Sequence, residues 1–166
     1  MKIKNIIIVV SIMIIIYSLL ITESRNPLIV DDLHPQYSCD ELTEKSDVLY
    51  ITPLLNNDSI LNYPQWCAEM KSLNKTFGLH GIIHQYHELL EPIEEEDLKE
   101  VMTIFEDCFG YKPRLFRPPY NKISKENKVL VERLGMTVYS KTYLLHPYCH
   151  CQPYSWMKIL NIIIGC

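Results

Sequence analysis

The sequence has no excess of basic residues: 16 lysines and arginines face 20 aspartates and glutamates, which gives a formal net charge of -4 at pH 7. Because phosphate binding needs lysine and arginine concentrated on one face, this balance argues against a nucleic-acid-binding protein. Glycine and proline are also scarce, at 5 and 10 of 166 residues, which excludes collagen-like and linker compositions. The 48% hydrophobic content excludes a disordered tail, so we expect one compact domain.

The longest uncharged run lies near the N-terminus. It covers residues 5–22, follows Lys2 and Lys4, and precedes Glu23. A run of this length nearly spans a bilayer core as a helix, and the flanking charges predict a cytosolic N-terminus. We therefore expect residues 1–26 to form a single-pass membrane anchor that leaves the remaining chain lumenal or extracellular. A cleaved signal peptide, which would make the protein secreted, and a buried core helix are the alternatives.

Six cysteines agree with an oxidising compartment, because disulfides persist there. Their pairing cannot be read from the sequence. Near the C-terminus, Cys149 and Cys151 flank His150 and lie close to His146. This cluster predicts either disulfides or a structural zinc site, and the expected compartment favours disulfides.

Short apolar segments alternate with helical patterns beyond the N-terminal run. Strands are predicted at residues 28–30, 48–52, 77–79, 115–116, 136–139, 143–145 and 159–164, and helices begin near Pro64, after Pro92 and after Ser124. This alternation predicts a mostly parallel sheet covered by helices in one domain over residues 27–166. Because that length is below the roughly 250 residues of a complete eight-unit barrel, we expect an α/β fold that forms an irregular or incomplete (β/α) barrel, preceded by a transmembrane helix.

Several polar groups fall at or just past the ends of the predicted strands. They are Asp31-Asp32, His80-x3-His84, Arg117-x-x-Tyr120 and His146. Parallel α/β proteins place their active sites at the carboxyl edge of the sheet, so we expect these groups to converge. An aspartate and two imidazoles four residues apart can bind one divalent metal such as zinc. Taken alone, each motif has a structural alternative. Asp31-Asp32 is compatible with a solvated turn, the histidines with the surface of a helix start, and the Arg117 segment with a structural turn.

The order of these motifs resembles the polysaccharide deacetylase superfamily, also called the NodB-homology domain. The resemblance covers residues 27–146 and is sharpest in the segments His80-Gly81-Ile82-Ile83-His84 and Arg117-Pro118-Pro119-Tyr120. It implies an irregular (β/α) barrel and a divalent metal, commonly zinc. It also implies a metal-dependent hydrolase that removes acetyl groups from an N-acetylated glycan.

The resemblance also implies a role for each matching residue. The metal ligands would be Asp32, His80 and His84. Asp31 would be the general base, Arg117 would orient that base, and Tyr120 would offer its backbone N–H to the oxyanion. Consecutive side chains on a strand point in opposite directions, so a bend at the strand end is needed to bring both aspartates to one site.

The chain departs from the family pattern in three places. No counterpart of the family's D-x-x-D-W-like segment is present, and Gly81 stands where serine or threonine is usual. The closing Leu-x-His motif would be Leu144-Leu145-His146, sooner after Tyr120 than usual, with His146 as general acid and His150 as the alternative. These departures predict that metal binding survives better than catalysis. The alternative function is therefore an inactive deacetylase-like domain that binds glycan or serves as an interaction or structural protein.

Overall fold

The computed structural model describes residues 3–24, 28–37, 39–140 and 149–151. The strands are β1 (Ile29–Leu33), β2 (Val48–Ile51), β3 (Leu54–Leu55), β4 (Asp58–Ser59), β5 (Thr76–His80), β6 (Leu115–Arg117), β7 (Thr137–Val138) and β8 (Cys149–His150). The α-helices are α1 (Ile3–Ser24), α2 (Asp40–Lys45), α3 (Pro64–Ser72), α4 (Glu95–Phe109) and α5 (Lys125–Arg133). Two 3-10 turns cover Ile60–Asn62 and Pro119–Asn121.

Six strands form one parallel sheet in the order β7-β6-β5-β2-β1-β8, and β3 pairs with β4 in a separate antiparallel ribbon. The central strands are short apolar segments, as expected for a sheet that is covered on both faces. Parallel pairing places the carboxyl ends of β1, β5 and β6 at the same edge. The predicted α/β architecture with a parallel sheet is thereby confirmed.

Helices α3, α4 and α5 begin where the sequence predicts, whereas α2 was not predicted. Acidic residues precede and open α4, where they favour the positive end of the helix, and Gly110 ends it with a φ of 82°. The buried stripe of α4 includes Leu98, Val101 and Phe105. The hydroxyl of Ser124 caps α5 by accepting a hydrogen bond from the backbone N–H of Asn127.

Helices α3 and α4 pack together against the sheet. A disulfide joins Cys67 of α3 to Cys108 of α4, and the rings of Phe77 and Phe109 stack with their centroids 4.7 Å apart. A second disulfide joins Cys39 to Cys151, and Cys149 is disulfide-bonded as well. The alternative of a structural zinc held by Cys149 and Cys151 is therefore wrong, because both sulfurs are oxidised.

The N-terminal run forms helix α1, whose described apolar side chains are largely exposed, including Ile7 and Met13. The alternative of a buried core helix is therefore wrong. None of the helices within the described ranges combines the length and hydropathy required to cross a membrane. The transmembrane part of the prediction is thus unsupported. The strands predicted at 143–145 and 159–164 lie outside the described residues.

Candidate functional site

An irregularity in β1 brings two carboxylates to the carboxyl edge of the sheet. Strand β1 runs in register with β2 up to Val30, and the register has shifted by Leu33. Asp31 and Asp32 occupy this interval, and Asp32 has a φ of 63°, in the left-handed region. Both side chains are buried. Asp32 contacts His80 at the end of β5, and Asp31 contacts Arg117 at the end of β6. The bend predicted for the end of this strand is therefore present.

Asp32 contacts the two histidines of the His80-x3-His84 motif. Its Oδ1 atom lies 3.0 Å from Nε2 of His80 and 2.6 Å from Nε2 of His84. One ligand atom from each residue can be chosen so that all three lie within 4.8 Å of one another. His80 ends β5, and His84 follows in the next loop, so one short segment supplies both imidazoles. The three predicted ligands do converge.

The chemistry of this set fits a divalent cation. The Nδ1 atom of His80 lies 3.0 Å from the carbonyl oxygen of Arg117. Since a carbonyl can only accept, Nδ1 donates to it, and Nε2 is the ring nitrogen that faces Asp32. The buried Oδ1 of Asp32 has no hydrogen-bond partner within the described part of the chain. A carboxylate oxygen held between two imidazole nitrogens is an arrangement that a divalent cation such as zinc can bind.

The ionisation of Asp32 agrees with this assignment. Burial on its own would raise the pKa of the Asp32 carboxyl, but the hydrogen bond from His150 and the imidazoles of His80 and His84 hold that pKa well below its usual range. Burial lowers the pKa of His84, but contact with the Asp32 carboxylate outweighs burial and raises it. Asp32 is therefore ionised at neutral pH, as a metal ligand must be.

Asp31 forms a buried ion pair with Arg117. The distance from Nε of Arg117 to Oδ2 of Asp31 is 2.7 Å, and the two side chains are 0% and 2% exposed. The guanidinium also lies over the rings of Tyr50 and Tyr139, 5.7 and 5.6 Å from their centroids. Oδ1 of Asp31 is buried and has no hydrogen-bond partner among the residues described. This oxygen can accept a proton while Arg117 fixes the other one.

Tyr120 lies beside the second histidine. It occupies the turn Pro119–Asn121 with a φ of 55°, and its ring centroid is 5.6 Å from that of His84. Its ring is 46% exposed and meets the exposed ring of Tyr86 at nearly a right angle, 5.1 Å away. The structure thus places Tyr120 at the site, and its role as a backbone donor to an oxyanion stays a prediction.

His150, the alternative general acid, also reaches the site. Strand β8 pairs with β1, with His150 opposite Asp31, and Nδ1 of His150 lies 2.6 Å from Oδ2 of Asp32. Burial lowers the pKa of His150, but the carboxylates of Asp32 and Asp31 outweigh it and raise that pKa. His146, the first choice from the sequence, lies outside the described residues.

Sequence reasoning missed Glu88, whose carboxylate accepts hydrogen bonds from backbone N–H groups on both sides of His84. Its only sequence signal is its position four residues after His84. Two other histidines, His34 and His87, do not join the three-residue set. His34 is buried against the backbone carbonyl of Asp58, and His87 stacks on Tyr86.

The family model described as polysaccharide deacetylase matches residues 44–139, more than half of the chain. The chain belongs to the polysaccharide deacetylase family. The matched residues include the His80-x3-His84 and Arg117-x-x-Tyr120 motifs, which confirms the resemblance there. The match begins after Asp31 and Asp32. No curated protein matches the chain.

Solved structures with a similar fold include a polysaccharide deacetylase, a carbohydrate esterase and a pseudoenzyme. A polysaccharide deacetylase from Bacillus cereus is 18% identical with a TM-score of 0.54, over 69% of this chain and 59% of that one. A family 4 carbohydrate esterase from Streptomyces lividans, in complex with acetate, is 10% identical with a TM-score of 0.58, over 83% and 85%. A family 4 pseudoenzyme from Bacillus anthracis is 12% identical with a TM-score of 0.57, over 84% and 60%. At these identities the likeness establishes the fold.

Proposed function

We propose that this protein is a metal-dependent hydrolase that removes acetyl groups from the N-acetylated sugars of a glycan. The observation that carries the proposal is the convergence of Asp32, His80 and His84 beside Asp31, which Arg117 holds in a buried ion pair. The family supports an acetylated glycan as substrate. The exposed rings of Tyr86 and Tyr120 beside the site offer apolar faces of the kind that sugar rings stack on.

Each residue of the site has a definite task in this reaction. Zinc or another divalent ion, held by Asp32, His80 and His84, would polarise the acetyl carbonyl and acidify water. Oδ1 of Asp31 accepts the proton of the attacking water, while the ion pair with Arg117 orients this carboxylate.

Bond cleavage needs a donor for the nitrogen and a partner for the oxyanion. As the C–N bond breaks, the protonated imidazole of His150 gives its proton to the departing amine, so that acetate and a free amino sugar result. The backbone N–H of Tyr120 stabilises the negative oxygen of the tetrahedral intermediate.

Acetate release tests the proposal directly. The full chain is loaded with Zn²⁺ and incubated with N-acetylated chitooligosaccharides or peptidoglycan fragments. We expect acetate from the parent, a loss of at least about 100-fold in Asp31→Asn because the base is removed, and loss in His80→Ala. Lys128→Ala, on the exposed face of α5, is the control and should keep full activity. No acetate with any of these substrates, with Zn²⁺, Co²⁺ or Mn²⁺, would defeat the proposal.

A second function, glycan binding without turnover, is favoured by the missing D-x-x-D-W-like segment. The similarity to the Bacillus anthracis pseudoenzyme adds support, since it shows that the fold exists without activity. Binding to chitooligosaccharide beads that is equal in the parent and in Asp31→Asn, without acetate release, is the expected result for this function. Turnover by the parent would exclude it.

We also propose a lumenal or extracellular location for the domain, because the cysteines at 39, 67, 108, 149 and 151 are all in disulfides. Maleimide labelling of the protein in intact and lysed cells tests this location. We expect these thiols to become reactive only after reduction. Free thiols at these positions in the native cellular protein would contradict the proposal.

A further inference from the structure

The loop that carries His84 has an unusual backbone. Between the end of β5 and Leu89 the chain forms no helix or strand, and three of its residues have positive φ: Gly81 at 67°, His84 at 61° and His87 at 65°. For histidine this conformation is uncommon, and it persists only where surrounding contacts hold it. A metal ligand on such a loop needs a support that fixes the backbone on both sides of it.

Glu88 provides that support. Its Oε1 accepts a hydrogen bond from the N–H of Ile82 at 2.9 Å, and its Oε2 accepts from the N–H groups of Ile83 and Gln85, both at 3.1 Å. Ile83 and Gln85 are the two neighbours of His84. One carboxylate therefore satisfies three backbone donors and fixes the peptides on either side of the ligand.

The residue at position 81 is matched to this carboxylate. A Cβ atom built on Gly81 would collide with Oε1 of Glu88 and with Cγ of Pro119. The glycine thus leaves room for the carboxylate at a position where the family usually has a hydroxyl side chain, and its φ of 67° suits glycine as well. A side chain at position 81 would therefore displace the carboxylate of Glu88.

Glu88 is itself held in place. The next residue, Leu89, is buried, and its carbonyl oxygen accepts hydrogen bonds from the N–H of Ser124 at 2.9 Å and from Nδ2 of Asn127 at 2.8 Å. At the other end of the loop, the N–H of Gly81 donates to the carbonyl of Arg117 at 3.1 Å. Both ends of the loop are anchored on rigid elements, and the carboxylate fixes its middle.

We propose that Glu88 is a positioning residue that preforms the His84 loop, so that the imidazole faces Asp32 before a cation arrives. Its negative charge beside the ligands also favours the bound cation. The proposal rests on the metal site described above, and it extends that site to a residue that contacts neither substrate nor metal. Outer-shell partners of this kind typically contribute about 10-fold to 100-fold in metal affinity.

The experiment measures metal affinity on the full chain rather than activity. Zn²⁺ and Co²⁺ binding are titrated against a chelator for the parent, Glu88→Gln and Glu91→Gln. Glutamine keeps the length of the side chain but replaces one accepting oxygen with a donor, which opposes a backbone N–H. We expect Glu88→Gln to bind both ions about 10-fold to 100-fold more weakly and to show an altered visible spectrum with Co²⁺, because His84 loses its orientation. Glu91→Gln removes the same charge from an exposed position three residues away and should bind like the parent.

The outcomes separate this proposal from the metal site itself. A parent that binds no divalent ion would defeat the site, whereas equal affinity of the parent and Glu88→Gln would overturn only the role of Glu88. Hydrogen exchange of the metal-free parent gives a test that needs no variant. We expect the amides of Ile82, Ile83 and Gln85 to be protected, and exchange at the rate of an unstructured loop would overturn the proposal even if Glu88→Gln fails to fold.

Discussion

The ion pair between Arg117 and Asp31 tests whether burial, rather than the distance between the charges, determines how much an ion pair contributes to stability. In Arg117→Met the buried residue Asp31, which is 1% exposed, loses its charged partner. Two charges about 4 Å apart attract by about 4 kcal/mol at an effective dielectric constant of about 20. Removing one member of a buried pair typically costs about 3–5 kcal/mol. We therefore expect the free energy of unfolding of Arg117→Met to fall by about 3–5 kcal/mol.

The exposed pair of Lys45 and Glu41 is the matched control. Its N···O distance is 2.6 Å, compared with 2.7 Å for the buried pair, but both side chains are more than half exposed. Lys45→Met should leave the stability nearly unchanged, because water screens the pair. The assay is urea unfolding followed by circular dichroism, with a chelator present so that metal binding does not contribute.

A double-mutant cycle isolates the interaction. Asp31→Asn removes the other charge, and the double variant leaves neither group charged and buried. We expect the double variant to lose clearly less than the sum of the two single variants. Additive losses, or a loss below about 1 kcal/mol in Arg117→Met, would refute the claim that the two buried charges depend on each other.

Three further changes test other parts of the fold and site. Asn127→Ala removes three side-chain hydrogen bonds to the backbone of residues 89–93 and should lower the free energy of unfolding by about 2–3 kcal/mol. A loss within about 0.5 kcal/mol, typical of neutral surface changes, would show that these hydrogen bonds do not stabilise the fold. Gly78→Ala places a Cβ 2.7 Å from Cε1 of Tyr50 and should cost about 1–3 kcal/mol in the same assay, whereas an unchanged stability would show that the ring moves freely. Tyr86→Ala should raise KM for acetylated oligosaccharides with little change in kcat, because the proposed reaction would place sugar beyond the reacting unit on its exposed ring; an unchanged KM would exclude that contact.

The sequence predicts most of the helices and strands because their signals are local. The acidic start of α4, its stripe of apolar residues and Gly110 all lie within one short segment, and the structure confirms each of them. The convergence of the candidate metal ligands could also be predicted, since strand ends of a parallel sheet share an edge and the motifs appear in the family's order. His80 and His84 need only one strand and the loop after it.

Features that depend on distant contacts could not be predicted. The sequence separation of Cys39 and Cys151 is 112 residues, so nothing local indicates their disulfide. His150 was the second choice for the acid because its position depends on which residue of β8 pairs with β1. Glu88 lies in a segment with several acidic residues, and only the folded loop distinguishes the one that turns inward from those that face solvent, such as Glu91.

The residues Asp32 and His80 on one side of the site and His150 on the other are held in place by different kinds of interaction. The ligand strands β1 and β5 lie inside the sheet, where β2 pairs with both of them. His150, in contrast, lies on β8, at the edge of the sheet among the described strands, and its neighbour Cys151 is joined to Cys39 by a disulfide. This covalent link helps to hold His150 beside Asp32. The proposed metal set and the proposed proton donor therefore depend on different contacts, so we expect that a substitution can remove one and leave the other in place.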